Sequence, residues 1–326
     1  DTGNDNVDGG VGDDTVDGGL GNDTVSGGAG NDTVTGGAGN DSVIGGDGND
    51  TGNDNVDGGA GDDTVDGGLG NDTVSGGAGN DTVSGGAGDD SVIGGEGNDL
   101  IAGDGGNDTL SGGTGNDTLV YDANDGLVDG GAGTDTLLVK ADLDLTAIAD
   151  SQLANLEIID LSEAGNQTLT WRLADVAALA DPVSKQVVVT GNAGDSVIFK
   201  DSWTQGTTTI GGTTYKMFTN GGYTVLVNNL LNTQVIIEGG STSDTLAGGA
   251  GNDSVDGGAG DDTVEGGAGN DTVTGGAGND TVTGGEGNDS VIGGDSTDTG
   301  NDNVDGGVGD DTVDGGAGND TVSGGA

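Results

Sequence analysis

From Gly9 the chain reads GGVGDDTVD, GGLGNDTVS, GGAGNDTVT and GGAGNDSVI, a period of nine residues with the pattern Gly-Gly-x-Gly-(Asn/Asp)-Asp-(Thr/Ser)-(Val/Leu)-x. The pattern continues from Gly58 to Val120 with small lapses, such as GDGGNDTLS at Gly103. It has a late copy, GGAGTDTLL, at Gly130 and returns at Gly239 to run to Ala326. So short a period excludes an ordinary globular core, because each repeat can bury its apolar side only against its neighbours.

A longer repeat lies over the short one. Residues 1–44 match residues 50–93 except at Val11, Thr35 and Asn40. Residues 298–326 match residues 1–29 except that Ala317 stands where Leu20 does, so the chain re-enters its own beginning at an offset of 297 residues. The near identity implies a tandem array with a unit of that length. The chain starts and stops inside repeats and shows neither a signal peptide nor a membrane-length apolar run, so it reads as a piece of something longer.

Residue by residue, the unit splits in two. In GGxGxD the glycines permit positive φ, so these six residues are expected to form a turn with inward carbonyls, and the Asp adds a carboxylate. The last three residues, such as Thr-Val-Ser, favour a short strand whose central Val faces one side. Two units then make a coil, and coils stack about 4.8 Å apart. The Val positions form inward ladders, in which Leu100, Leu110 and Leu119 are expected to replace Val without effect.

Charge decides what holds such a stack together. The chain carries 58 acidic residues against 5 basic ones, a net charge of −53, with 78 Gly, no His and no Cys. Such a balance repels nucleic acid and anionic membranes, so no nucleic-acid partner and no membrane insertion are expected. With no thiolate or imidazole, only oxygen ligands remain, and these select hard cations, calcium first. Without a cation, stacked Asp would repel and the composition would read as disordered. About 20 calcium ions would cancel about 40 charges.

Residues 139–238 differ. They hold all five basic residues (Lys140, Arg172, Lys185, Lys200, Lys216), both Trp, both Phe, and the single Met and Pro. The shift marks an inserted domain of about 100 residues, enough for a small core. Leu173, Val176, Ala177 and Ala180 fall at helical spacing, a run that Asp181-Pro182 ends. QVVVT, SVIF, TTTI, TYKMF, YTVLV and QVIIE read as strands, with Gly211-Gly212 and Asn220-Gly221-Gly222 as hairpin turns. Trp171, Phe199, Trp203, Tyr215, Phe218 and Tyr223 are expected to form the core. GNAGDSV at Gly191 reads as a decayed calcium turn or an ordinary hairpin turn, with the hairpin favoured.

The nonapeptide GGxGxDxUx resembles the RTX (repeats-in-toxin) calcium-binding family, over roughly 70% of the chain and in about two dozen copies in phase. The resemblance implies an all-β fold: parallel β-roll (RTX β-solenoid) blocks at 1–138 and 239–326, flanking a β-rich module with one short helix. It also implies that the sixth-position Asp binds calcium through its side chain, with turn carbonyls as further ligands. The matching positions are Asp5, Asp14, Asp23, Asp32, Asp41, Asp54, Asp63, Asp72, Asp81, Asp90, Asp99, Asp108, Asp117 and Asp135. After the insert they are Asp244, Asp253, Asp262, Asp271, Asp280, Asp289, Asp302, Asp311 and Asp320. Asp50 joins them as a candidate from a stretch with four residues too many, Gly45–Asp57, and Asp298 lies in the matching stretch Gly293–Asp305. There the coil is expected to bulge, to add an ion, or to turn toward a partner. GGSTSDTLA at Gly239 lacks the fourth Gly, so an incomplete site is expected at Asp244. A bacterial origin, type I secretion and ordering by extracellular calcium follow from the resemblance. The insert resembles modules beside RTX blocks in large bacterial surface adhesins.

Other motifs have blander readings. Asn-Asp-Thr spells a glycosylation sequon, but the turn itself calls for Asn-Asp. No Gly-Lys-Ser/Thr follows the glycines, so they are not phosphate loops, and no helices flank the Asp runs as in EF-hands. The carboxylates are equivalent, whereas acid–base catalysis wants contrasting environments, so no enzyme is expected. The expectation is a calcium-dependent extracellular structural protein in which the insert's five positive charges meet neighbouring copies. The alternatives are an adhesin whose insert binds a glycan or cell surface, and the export domain of a secreted hydrolase or toxin.

Overall fold

The computed structural model describes every residue except 1, 164, 181, 193, 201–202, 229–233 and 295. Asp181, expected to help end the helical run, therefore lies outside the described residues. The chain forms two compact units, Asp1–Lys140 with Ala149–Asp160 and Ala178–Asp181, and Ala141–Ile148 with Leu161–Ala177 and Pro182–Ala326.

The first unit is a parallel β-solenoid. Successive nonapeptides alternate between two sheets, so that Asn6–Val11, Thr24–Ala29 and Ser42–Gly46 stack in one, and Thr15–Leu20 and Thr33–Ala38 in the other. Equivalent residues pair in register, Val25 with Val43 and Val16 with Val34. The ladder valines are sealed: Val43, Val74 and Val92 are 0% exposed.

The strands are longer than the three residues expected. Most in the repeat blocks span six, as in Thr15–Leu20 (TVDGGL), and only Gly-Asn/Asp-Asp is left for the bend. The glycine pair can join the strand because parallel coils bring identical backbones together. Gly28, at φ 104°, pairs with Gly10, and a Cβ on it would meet the Gly10 carbonyl oxygen at 2.2 Å. Intrinsic strand propensity, which disfavours Gly, is overridden by this contact.

One ladder position departs from expectation. Leu110 and Leu119 fill the ladder at 0% exposure, but Leu100 is 42% exposed and Ile101 is the buried ladder residue. Counting from Asp99 explains this, since Leu100 then takes the outward Thr position. The four extra residues of Gly45–Asp57 form a bulge that leaves the ladders intact, with Val34 paired to Val56 and Val43 to Val65. Ser26 Oγ donates to Asp47 Oδ1 (3.1 Å), and Asp50 N–H donates to the Asp47 carbonyl (2.9 Å), which closes the loop.

The second unit carries the same parallel ladders at Thr245–Ala250, Thr263–Ala268, Thr281–Glu286 and Asn303–Val308 in one sheet. A second sheet runs through Thr168–Trp171, Ser196–Phe199, Gln234–Glu238, Ser254–Asp256 and Thr272–Gly276. Parallel coiling is therefore already present in the stretch of unlike composition. Gln186–Gly191 pairs in parallel with Tyr223–Asn228, and Ser196–Phe199 with Thr168–Trp171. Gln186–Gly191 and Ser196–Phe199 thus lie in different sheets and do not form the hairpin favoured from sequence. True hairpins join Thr204–Ile210, Thr213–Asn220 and Tyr223–Asn228 through Gly211-Gly212 (φ 59° and 88°) and Gly221-Gly222 (φ 56° and 87°). Positive φ at both central residues is the type I′ signature that Gly-Gly supplies.

Trp171, Phe199 and Phe218 are 0% exposed and Trp203 is 2% exposed, and the Phe199 ring lies 4.2 Å from Phe218 and 5.7 Å from Trp171. Tyr215 and Tyr223 are only half-buried, so the aromatic core is smaller than expected. The helix is Leu173–Leu179, and at its start Asp175 accepts the Arg172 N–H at 2.6 Å, a reach-back cap. Among the described residues no helix is long and apolar enough to cross a membrane.

Candidate metal centre

Asp63 shows how one bend is built. Gly61, at φ 136°, turns the chain after Asn55–Ala60, and Asp63 follows just before Thr64–Leu69. Its carboxylate points inward and is 2% exposed. Oδ1 accepts the Asp41 N–H at 2.8 Å, and the Asp63 N–H donates in turn to Asp81 Oδ1 at 2.8 Å. Oδ2 is buried and bonded to no group. A Cβ on Gly58 would lie 2.4 Å from the Gly76 carbonyl oxygen and 2.8 Å from Asp63 Oδ2, so only Gly leaves room beside this pair of oxygens.

The same bond links the aspartates into columns. One runs Asp5, Asp23, Asp41, Asp63, Asp81, Asp99, Asp117, Asp135. Its neighbour runs Asp14, Asp32, Asp54, Asp72, Asp90, Asp108. The second unit has Asp244, Asp262, Asp280, Asp302, Asp320 and Asp253, Asp271, Asp289, Asp311. From Asp23 to Asp135 and from Asp262 to Asp311 the pattern of one bonded and one open, buried oxygen repeats. A buried carboxylate oxygen with no partner is costly, and a bound cation is the usual remedy.

The sequence candidates are not all equal. Asp50 stays out of the column, where Asp54 takes the place, but it too has one bonded oxygen, which accepts the Gly30 N–H at 3.3 Å, and a buried, open Oδ2. Asp298 likewise accepts the Gly278 N–H at 3.3 Å, with Asp302 in the column. At Asp244 the oxygen left open elsewhere accepts the Gly240 N–H at 2.9 Å. Asp5 and Asp320 end their columns half-buried.

Two acidic residues, Glu157 and Asp125, escaped the sequence reading, and a third, Asp195, lies in the GNAGDSV stretch read there as a decayed calcium turn or a hairpin turn. The Asp135 N–H donates to Glu157 Oε2 at 2.9 Å, which extends the column by one coil; its spacing from Asp135 equals that of the bulged coils. Asp125 is 3% exposed with Oδ1 open, in a bend where it accepts the Asp122 N–H at 2.8 Å. Asp195, 0% exposed, accepts the Gln167 N–H at 2.9 Å in the Gly191 bend. Glu157 and Asp125 lack the Gly-Gly-x-Gly context, so the repeat pattern gave no signal there, whereas Asp195 keeps Gly191 and Gly194 of that spelling.

Among the described residues no three acidic side chains converge on one point. Each bend buries a single carboxylate, that of its column Asp, while the residue before it is exposed, as Asp62 is beside Asp63, and the other inward oxygens are backbone carbonyls. That donor set, oxygen only and partly neutral, suits calcium, which takes six to eight oxygens in flexible geometry. The residues present fit the ion.

Electrostatics point the same way. Burial, and then the charges of Asp81 and Asp41, push the Asp63 carboxyl up from 3.8 to about 6, against the pull of the Asp41 N–H. Asp54, Asp81, Asp90, Asp135 and Asp280 are raised to about 6 as well, burial leading in each. A carboxyl raised in the fold favours folding while protonated, and that contribution is lost as pH rises through about 6. In chelator, therefore, lowering the pH from about 7.5 to about 5 should increase the β content seen by circular dichroism. An unchanged or falling signal would contradict the assignment. With calcium present the sense reverses, because protons compete with the ion for the same oxygens.

A family model described as the RTX calcium-binding nonapeptide repeat, in four copies, matches residues 1–25, 17–51, 51–83, 84–119, 238–273, 265–299 and 296–326, more than half of the chain. Among curated proteins none matches the chain.

Proposed function

Because the chain belongs to the RTX calcium-binding nonapeptide repeat family, and so is a calcium-binding β-solenoid protein, we propose that it is a structural segment of an extracellular bacterial fibre, surface layer or biofilm matrix. In this reading the column aspartates, from Asp14 to Asp135 and from Asp262 to Asp311, hold calcium through Oδ2 with turn carbonyls as co-ligands. About 20 ions load the chain. Binding and folding are one event, which suits export of an unfolded chain into a calcium-rich exterior.

The observation that carries the structural role is the re-entrant sequence. Asn303–Val308 and Asn6–Val11 spell the same strand, NVDGGV, and each is a strand of a parallel ladder. A tandem array of such units adds length in one direction. Three of the insert's five positive charges already have acidic partners, which weakens the case for the expected contact with acidic neighbours. Lys216 is buried on Asp253, Lys200 pairs with Glu238 at 2.6 Å, and Arg172 lies 3.6 Å from Asp175, all within the chain. Assembly therefore rests on the ladders themselves. Sedimentation velocity and negative-stain microscopy test this: calcium should give extended species that grow with protein concentration and dissolve in EGTA. A monomer of constant size in both buffers would overturn it.

A further inference from the structure

Among the described residues Lys216 is the one buried basic side chain. It sits on Thr213–Asn220 and faces inward like Phe218, two residues on; Lys216 is 3% exposed and Phe218 0%. An ammonium taken out of water needs a partner at close range. Its Nζ lies 3.3 Å from Asp253 Oδ1, and the Asp253 side chain is itself 0% exposed. Asp253 is the first aspartate of its column, because the position one coil earlier is Val235. Among the described residues this is the one ion pair made by a column aspartate. The field reaches the next coil: burial raises the Asp271 carboxyl and the Asp253 N–H and Lys216 both oppose that rise, while Asp289 adds to it.

We propose that the Lys216 ammonium takes the place of a calcium ion at the head of the Asp253–Asp271–Asp289–Asp311 column, so that this bend is neutralised within the chain and seeds the coils that follow. A divalent ion at Asp253 would have to sit beside a fixed positive charge, whereas the bends further along have none. Solenoid folding propagates from whichever coil forms first. A coil that needs no ion gives residues 239–326 a defined starting end.

This inference rests on the calcium reading above, and the test separates the two. The full chain and its Lys216→Ala and Lys216→Arg variants are loaded with calcium, freed of excess ion, and counted for bound calcium by native mass spectrometry. Amide exchange is followed over residues 245–276 in EGTA. Lys216→Ala should bind one more ion than the parent and lose at least tenfold protection in the strands Ser254–Asp256 and Thr272–Gly276 in EGTA. Lys216→Arg, which keeps the charge, should match the parent in both. An unchanged ion count in Lys216→Ala would overturn the proposal, and so would loss of protection in Lys216→Arg, which would mark a packing role. Failure of Lys216→Ala to fold at saturating calcium would also overturn it, since the ion is held to replace the ammonium's charge. A parent chain that binds no calcium at all would sink the functional reading itself.

Discussion

In excess EGTA at about pH 7.5 the chain should give the circular dichroism of an unordered polypeptide over most of its length, and millimolar calcium should restore the β signal in one steep transition. Two magnitudes force this result. Each nonapeptide offers the core a single Val or Leu, too little to offset about 1–2 kcal/mol of backbone entropy per residue. Against that thin core stand 58 acidic residues and 5 basic ones, with column carboxylates such as Asp63 and Asp81 only 2% exposed. Carboxyls raised to about 6 are more than nine-tenths ionised at that pH, so the stack carries its repulsion in full. At calcium tenfold above Kd, each independent site returns about 1.4 kcal/mol, and neighbouring coils couple the sites, which steepens the transition. The insert's aromatic core and the Lys216–Asp253 pair should leave a small residual signal.

Replacing Gly88 with Val should be the most damaging single change in the first unit. Gly88 has φ 143°, and a Cβ there would fall 1.5 Å from the Gly70 carbonyl oxygen in the coil below. The clash is with backbone, so no rotamer relieves it, and the two coils must part. The expected loss is on the order of 4 kcal/mol, read as a higher calcium midpoint in a titration followed by circular dichroism. The outward-facing Thr82, one of the exposed residues of Thr82–Ala87, is the control. Thr82→Ala should move the midpoint by less than about 0.5 kcal/mol. Equal effects of the two substitutions would mean that close stacking of the coils is not what holds the unit together.

Much of this fold is legible in the sequence, because a period fixes register. Once Asp23 and Asp41 are seen to recur in step, their stacking, the Val25–Val43 ladder and the columns follow from geometry alone. What stayed hidden depended on neighbours in space. Gly28 joins a strand because Gly10 lies against it, a contact no propensity encodes. Leu100 and Ile101 are equally apolar, and only the count from Asp99 tells which turns inward. Glu157 extends a column, and Asp125 is buried in a bend, without the Gly-Gly-x-Gly spelling that marks the repeat aspartates. Lys216 looked like surface charge because lysine almost always is; its burial reflects the inward face of a strand and an acidic column to meet it.

The most direct test of the central claim is a crystal structure grown in calcium, with anomalous data collected at long wavelength. The account predicts strong peaks in consecutive bends of the Asp41–Asp117 column, each within about 2.6 Å of an Oδ2 and of turn carbonyl oxygens, and none beside Lys216. A well-ordered solenoid whose bends hold no anomalous peak would contradict it.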